Sequence, residues 1–154
     1  MRREDAIHHL SQLRPSQYYA IHPLWGTLRR TVIVSQPPPG TRVLIVEDDT
    51  IIAMTAEDML EEVGCQTAAV ASTVAEALAR TEDTEFDIAL LDLNLKSENS
   101  LSVAQRLRDS GKRFVFATGY DGLPAGCGFT DAPVISKPYR IEQLATIIAE
   151  TLAA

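Results

Sequence analysis

The sequence predicts an α/β, doubly wound fold. Five parallel strands in the order 2-1-3-4-5 carry helices on both faces, behind an N-terminal extension. Three observations lead there. From residue 41 onward, short β-branched runs alternate with stretches of helical periodicity. The runs Arg42–Glu47, Phe86–Leu91 and Arg113–Thr118 each hold four consecutive apolar residues (VLIV, IALL and FVFA) rather than an alternation, as in strands buried on both faces. A break at Gln36-Pro37-Pro38-Pro39-Gly40 then divides the chain into residues 1–40, extension and linker, and residues 41–154, one domain.

In chain order, Arg42–Glu47 is the first strand. Asp49 or Thr50 caps a first helix whose Ile51, Ile52, Met54, Thr55, Met59 and Val63 form its apolar side, and Gly64 stops it. Gln66–Ala71 is the second strand. Ser72 and Thr73 cap a helix through Ala75, Ala77, Leu78 and Ala79. The third strand, Phe86–Leu91, ends at Asp92. A third helix begins at Ser97 or Asn99, runs through Leu101, Val103, Ala104 and Leu107, and closes at Gly111. Arg113–Thr118 and the short Val134–Ser136 complete the sheet. A last helix spans Ile141–Leu152, with Ile141, Leu144, Ala145, Ile148 and Leu152 on one face and Pro138 in its first turn. Right-handed crossovers put helices on both sides of the sheet.

With 154 residues, 45% of them hydrophobic and 23% charged, the chain has room for one core. No apolar run approaches the ~18 residues of a membrane span, and no secretory signal opens the chain. Cys65 and Cys127 match no metal or redox spacing and read as reduced thiols of a cytoplasmic protein. A net charge of −7 argues against nucleic acid as a partner. The charge is uneven: residues 1–42 carry six arginines against two acids, residues 43–154 eight basic against nineteen acidic residues. A basic arm on an acidic domain is expected.

Ligand chemistry in such sheets gathers at the carboxyl ends of the strands, where the order switches between strands 1 and 3. Here strand 1 ends in Glu47-Asp48-Asp49 and strand 3 in Asp92. Two carboxylates about 4 Å apart repel by roughly 4 kcal/mol at an effective dielectric near 20. A hard divalent cation relieves that repulsion, and Mg²⁺ takes one or two carboxylates plus a phosphate oxygen. Asp49, at the next helix start, reads as its cap. Strand 4 ends in Thr118 and strand 5 runs into Lys137-Pro138. They bring a hydroxyl and a compact ammonium suited to phosphate oxygens to the same edge. Asp92 suits aspartyl-phosphate chemistry, with Mg²⁺ and Lys137 neutralising the phosphoryl oxygens.

VLIVEDD (43–49), LLDLNL (90–95), FATGY (116–120) and SKPY (136–139) stand in the order and spacing of the receiver (CheY-like, flavodoxin-like (βα)5) domains of response regulators, which residues 41–153 resemble. The resemblance implies that Asp92 is the phosphoacceptor, Asp48 a direct Mg²⁺ ligand, and Glu47 a ligand through water. It also implies that the backbone carbonyl of Asn94 completes the metal site, that Thr118 contacts the phosphoryl group and moves, and that a cis peptide joins Lys137 to Pro138. Asn94 and Tyr120 would tune dephosphorylation. The implied partners are a sensor histidine kinase or a histidine phosphotransfer protein, and a downstream target protein.

The family often carries an aromatic three residues before the lysine, where this chain has Val134. Phe114-Val-Phe-Ala-Thr-Gly-Tyr120 is similar instead to the PFxFATGY subgroup of single-domain receivers, with Arg113 in place of Pro; that subgroup is associated with HWE/HisKA2 kinases. Gly119, Gly122, Pro124, Gly126, Gly128 and Pro133 disfavour a long helix between strands 4 and 5. The shape change is therefore expected to run through residues 118–132, with Tyr120 or Phe129 moving.

In residues 1–36, Asp5–Leu13 fits a short helix, Tyr18, Tyr19, Ile21, Leu24 and Trp25 fit docking anchors, and Thr31–Ser35 an extra strand. His8, His9 and His22 have no completing ligand and read as surface residues. An arm packed on the domain or on a second subunit and a disordered or upstream extension remain two readings. The expectation is a stand-alone, non-enzymatic receiver with at most slow autodephosphorylation. A phosphatase of the haloacid dehalogenase type would want a second Asp where Asn94 stands, and a non-phosphorylated pseudo-receiver would lack the acid, Thr and Lys set.

Overall fold

The computed structural model describes residues 35–96, 98–119 and 122–154. The expected elements before residue 35, the three histidines, the capping role of Ser97 and the part assigned to Tyr120 lie outside the described residues.

Five strands form one parallel sheet: β1 (Arg42–Val46), β2 (Gln66–Ala71), β3 (Ile88–Asp92), β6 (Arg113–Thr118) and β7 (Val134–Ser136). Its order is β2-β1-β3-β6-β7, the predicted order 2-1-3-4-5. β-Branched and aliphatic runs suit a pleated surface covered on both sides. All five residues of β3 are buried. Alternation along β1 divides the core. Leu44 and Val46 face one cluster with Phe86, Leu91, Leu107 and Phe116, whereas Val43 and Ile45 face another with Leu60, Val115, Leu144 and Ile148.

Four helices cover the sheet: α1 (Thr50–Glu62), α2 (Val74–Asp83), α3 (Leu101–Asp109) and α4 (Ile141–Ala153). α1 packs beside α4 on one face, and α2 beside α3 on the other. The Thr73 hydroxyl accepts from the Glu76 N–H, and the Glu76 carboxylate reaches back to the N–H and hydroxyl of Ser72. That reciprocal cap fixes the start of α2. Gly64 (φ +80°) turns the chain out of α1, and its carbonyl accepts the Gly40 N–H at 2.7 Å, which anchors the entry to the domain.

Several expectations are corrected. The buried residues of α1 are Ala53, Ala56 and Leu60, whereas Ile51, Ile52, Met54 and Thr55 face outward. Small alanines let the helix sit close on the sheet, and the bulkier residues were left on the other side. Ala75 and Ala79 of α2 are likewise exposed, with Ala77 buried. α3 starts at Leu101 with Ser100 at its N-cap position, where no side chain closes the cap; the Asn99 side chain, one residue earlier, accepts the Leu101 N–H at 3.2 Å. Residues ahead of it form an unexpected hairpin, β4 (Asn94–Leu95) against β5 (Glu98–Asn99), with Lys96 left-handed at φ +45°. β1 stops at Val46, one residue short of the expected Glu47; β3 is shifted to Ile88–Asp92, and Pro138 precedes α4 instead of joining its first turn. Among the described residues between β6 and β7 there is no helix, as the glycines and prolines required. Both cysteines are free.

Candidate functional site: an acidic pocket at the carboxyl edge of the sheet

Register places the site. Val46 pairs with Leu91, so Glu47 follows level with Asp92 on the adjoining strand. The Glu47 N–H still bonds to the Ala71 carbonyl at 2.9 Å, which extends the ladder by one residue. Asp92 pairs with Ala117, which puts Thr118 one step further on the next strand. Thr118 pairs with Ser136, and the Lys137 N–H bonds to the Thr118 carbonyl at 2.7 Å. Main-chain hydrogen bonds thus bring Glu47, Asp92, Thr118 and Lys137 to one edge. The Lys137–Pro138 peptide is cis, as the resemblance implied.

Lys137 Nζ sits between two carboxylates. It donates to Glu47 Oε2 and lies 3.1 Å from Asp92 Oδ2. The side chains are little exposed: 16% for Lys137, 6% for Glu47 and 11% for Asp92. The remaining oxygens are held from the backbone. Glu47 Oε1 accepts the Asp49 N–H at 3.2 Å, and Asp92 Oδ1 accepts the Asn94 N–H at 3.2 Å. Asp49 acts as the expected cap, its Oδ1 accepting from Ile51 and Ile52 at 2.9 and 3.1 Å. Thr118 is fully buried.

The field of the pocket shows in its titrating groups. Burial pushes the Glu47 carboxyl up, and the Asp92 charge adds to it, against the pull of Lys137 and the Asp49 N–H. Burial alone would lower the Lys137 ammonium, but its hydrogen bonds and charge contacts with Glu47 and Asp92 outweigh it and hold the group above its ordinary value. Tyr139 is pushed up to about 12, chiefly by burial and then by the two carboxylates.

One oxygen from each of Glu47, Asp48 and Asp92 lies within 4.8 Å of the others. Oxygens bound to one hard cation at about 2.0–2.5 Å lie at most about 4–5 Å apart, so this donor set fits such an ion in both chemistry and span. Three carboxylates facing one ammonium also leave the pocket net negative. Asn94 stands beside the cluster, its N–H bonded to Asp92 Oδ1. The Leu93 carbonyl accepts the Ser100 N–H at 3.0 Å while the Leu93 N–H goes to the Ala117 carbonyl at 3.0 Å, which ties the β4–β5 hairpin to the sheet.

The structure therefore gathers Glu47, Asp48, Asp92, Asn94, Thr118 and Lys137 in one place. Two features were missed in the sequence. One is the sharing of Lys137 between two acids. The other is a clamp on the connection after Thr118: Arg108 donates to the Gly128 carbonyl and to Asp131, both at 2.9 Å, and lies 4.2 Å above the Phe129 ring. Phe129 is buried edge-on against Phe114 and Phe116. Neither partnership has a local signal, since α3 and the connection meet only in the fold.

Residues 43–149 match the response regulator receiver domain family. The chain belongs to that family. The receiver is similar to SdrG of Sphingomonas melonis Fr1, whose solution structure aligns with a TM-score of 0.65 and 42% identity over 75% of this chain and 98% of that one. It is 26% identical over 107 residues to the sensory transduction protein LytR of Staphylococcus haemolyticus. It is 29% identical over 116 residues to the alginate biosynthesis transcriptional regulatory protein AlgB of Pseudomonas aeruginosa. These matches cover 67% and 72% of this chain but 42% and 26% of the relatives, so the chain spans less than half the length of either. Receivers of this family are typically phosphoacceptors, not enzymes. They bind Mg²⁺ through acidic residues and stand between a sensor kinase and a downstream target. Among the described residues no helix is long and apolar enough to cross a membrane.

Proposed function

We propose that the chain is a single-domain response regulator that takes a phosphoryl group on Asp92 from a phosphohistidine and signals through protein contact. Residues 41–154 are the receiver, behind an extension and linker over residues 1–40. The observation that carries this reading is the Lys137 ammonium held 3.1 Å from Asp92 Oδ2 within a cluster of three carboxylates at the strand ends.

An Asp92 oxygen attacks phosphorus, the new P–O bond forms as the P–N bond to the donor imidazole breaks, and the imidazole leaves with the electron pair and takes up a proton. Lys137 faces the oxygen atoms that gain charge, and Thr118 offers its hydroxyl from the neighbouring strand. Buried backbone holds Asp92 in line and limits water. Asp48, Asp92 and the Asn94 carbonyl would hold Mg²⁺, with Glu47 acting through water; bound there, the ion neutralises phosphoryl charge. Asn94 and Tyr120 stand where the family tunes dephosphorylation.

The FATGY run and Val134 favour membership of the PFxFATGY subgroup, and with it a kinase of the HWE/HisKA2 type or a phosphotransfer protein in the cytoplasm. Output then goes to a protein target through residues 118–132. Labelling by a small phosphodonor such as acetyl phosphate tests the reading. Incorporation that needs Mg²⁺ and disappears in Asp92→Asn supports it; equal incorporation in the variant would refute it.

A further inference from the structure

The outward face of α1 reads in two halves. Ile51 is 77% exposed and Met54 58%, with Ile52 beside them at 38%. One helical stripe continues from Ile51 and Met54 through Asp58 to Glu61 and Glu62, all exposed, with Glu57 at its edge. The last turn holds no basic residue. Carboxylates at a helix C-terminus oppose its dipole. Among the described residues, none of these four acids has an ion-pair partner. An apolar patch and an uncompensated acidic end therefore lie in series along a single surface.

The chain ahead of residue 35 carries the complementary series. Tyr18, Tyr19, Ile21, Leu24 and Trp25 come first, and Arg29 and Arg30 follow. The junction sits at the acidic end of α1. Gly40 bonds to Gly64, just past that helix, Pro37 is buried, and Ser35 and Gln36 are half-buried. Glu61 and Ile51 are separated by about 15 Å of helix. About five extended residues or ten helical ones cover that distance, and Ile21 to Trp25 lie within that reach of the arginine pair.

We propose that residues 18–30 lie along the outward face of α1, with Arg29 and Arg30 against Glu57, Asp58, Glu61 and Glu62, and the aromatic stretch over Ile51, Ile52 and Met54. The order of charge and apolarity along the arm matches the order along the helix when both run toward Gly64.

Trp25 is the chain's one tryptophan and reports directly on the cover. In the full chain its emission should be blue-shifted and protected from acrylamide. Ile51→Gln with Met54→Gln replaces only exposed side chains with good helix formers, and Arg29→Glu with Arg30→Glu leaves the domain untouched. Each pair should move the emission to that of the chain unfolded in urea while far-UV circular dichroism keeps its helical signal. An emission already at the unfolded position in the parent chain, or one unmoved by both pairs, would overturn the proposal. A blue shift that grows with protein concentration would also overturn it, because the cover would then come from a second copy.

Discussion

Removing the Lys137 ammonium tests the electrostatic account of the pocket. Lys137→Ala leaves Glu47 and Asp92 facing each other with side chains 6% and 11% exposed and no cation between them. Loss of one partner from a buried pair typically costs about 3–5 kcal/mol. Protonation of Glu47, already pushed up by burial, caps the cost near the lower figure. The sign with pH follows from the raised Glu47. A carboxyl whose folded value exceeds its unfolded one favours the fold below the unfolded value, and that contribution is lost as pH rises through the folded value. In the variant the upward shift grows, so the deficit should be small in acid and should widen toward neutrality. Urea unfolding with and without Mg²⁺ is the assay. Because a cation stands in for the ammonium, Mg²⁺ should stabilise the variant more than the parent. A neutral-pH deficit below about 1 kcal/mol, the scale of an exposed pair, or equal Mg²⁺ stabilisation of both proteins, would refute the reasoning.

Other consequences lie away from the site. Phe129→Ala removes a buried ring from the Phe114–Phe116 cluster and the surface under Arg108; chemical denaturation should show a loss of about 3–5 kcal/mol. Asp87 is held below the usual carboxylate range by hydrogen bonds from the Arg42 side chain and N–H. Its contribution is present above the unfolded value near 3.9 and is lost as pH falls through the depressed folded value. Because both side chains are 41% exposed, Asp87→Asn should cost only about 0.2–1 kcal/mol at neutral pH and nothing in strong acid, read from unfolding midpoints across pH.

The sheet and the pocket were legible because both follow from strand ends. RVLIV, IALLD and RFVFAT are short, largely apolar runs that suit a doubly covered strand, and once the strands are ordered, Glu47, Asp92, Thr118 and Lys137 fall at one edge. The outward face of α1 was not legible. Residue hydrophobicity points to Ile51, Ile52 and Met54, whereas close approach to the sheet selected Ala53 and Ala56 with Leu60. Each strand of the β4–β5 hairpin is two residues long, too brief for periodicity to register. Ser100 replaced Asn99 as the boundary of α3 because that hairpin consumes the preceding residues. The Arg108 clamp joins residues 20 or more apart in sequence and is set by tertiary contact.

The central claim is that Asp92 itself accepts the phosphoryl group, and locating the acyl phosphate tests it most directly. After reaction with a small phosphodonor and Mg²⁺, borohydride reduction converts a phosphorylated aspartate to homoserine, which peptide mass spectrometry places in the sequence. Homoserine at position 92 alone, absent when Mg²⁺ is chelated, is the predicted result. Homoserine at Asp48 or elsewhere with position 92 unmodified would contradict the account.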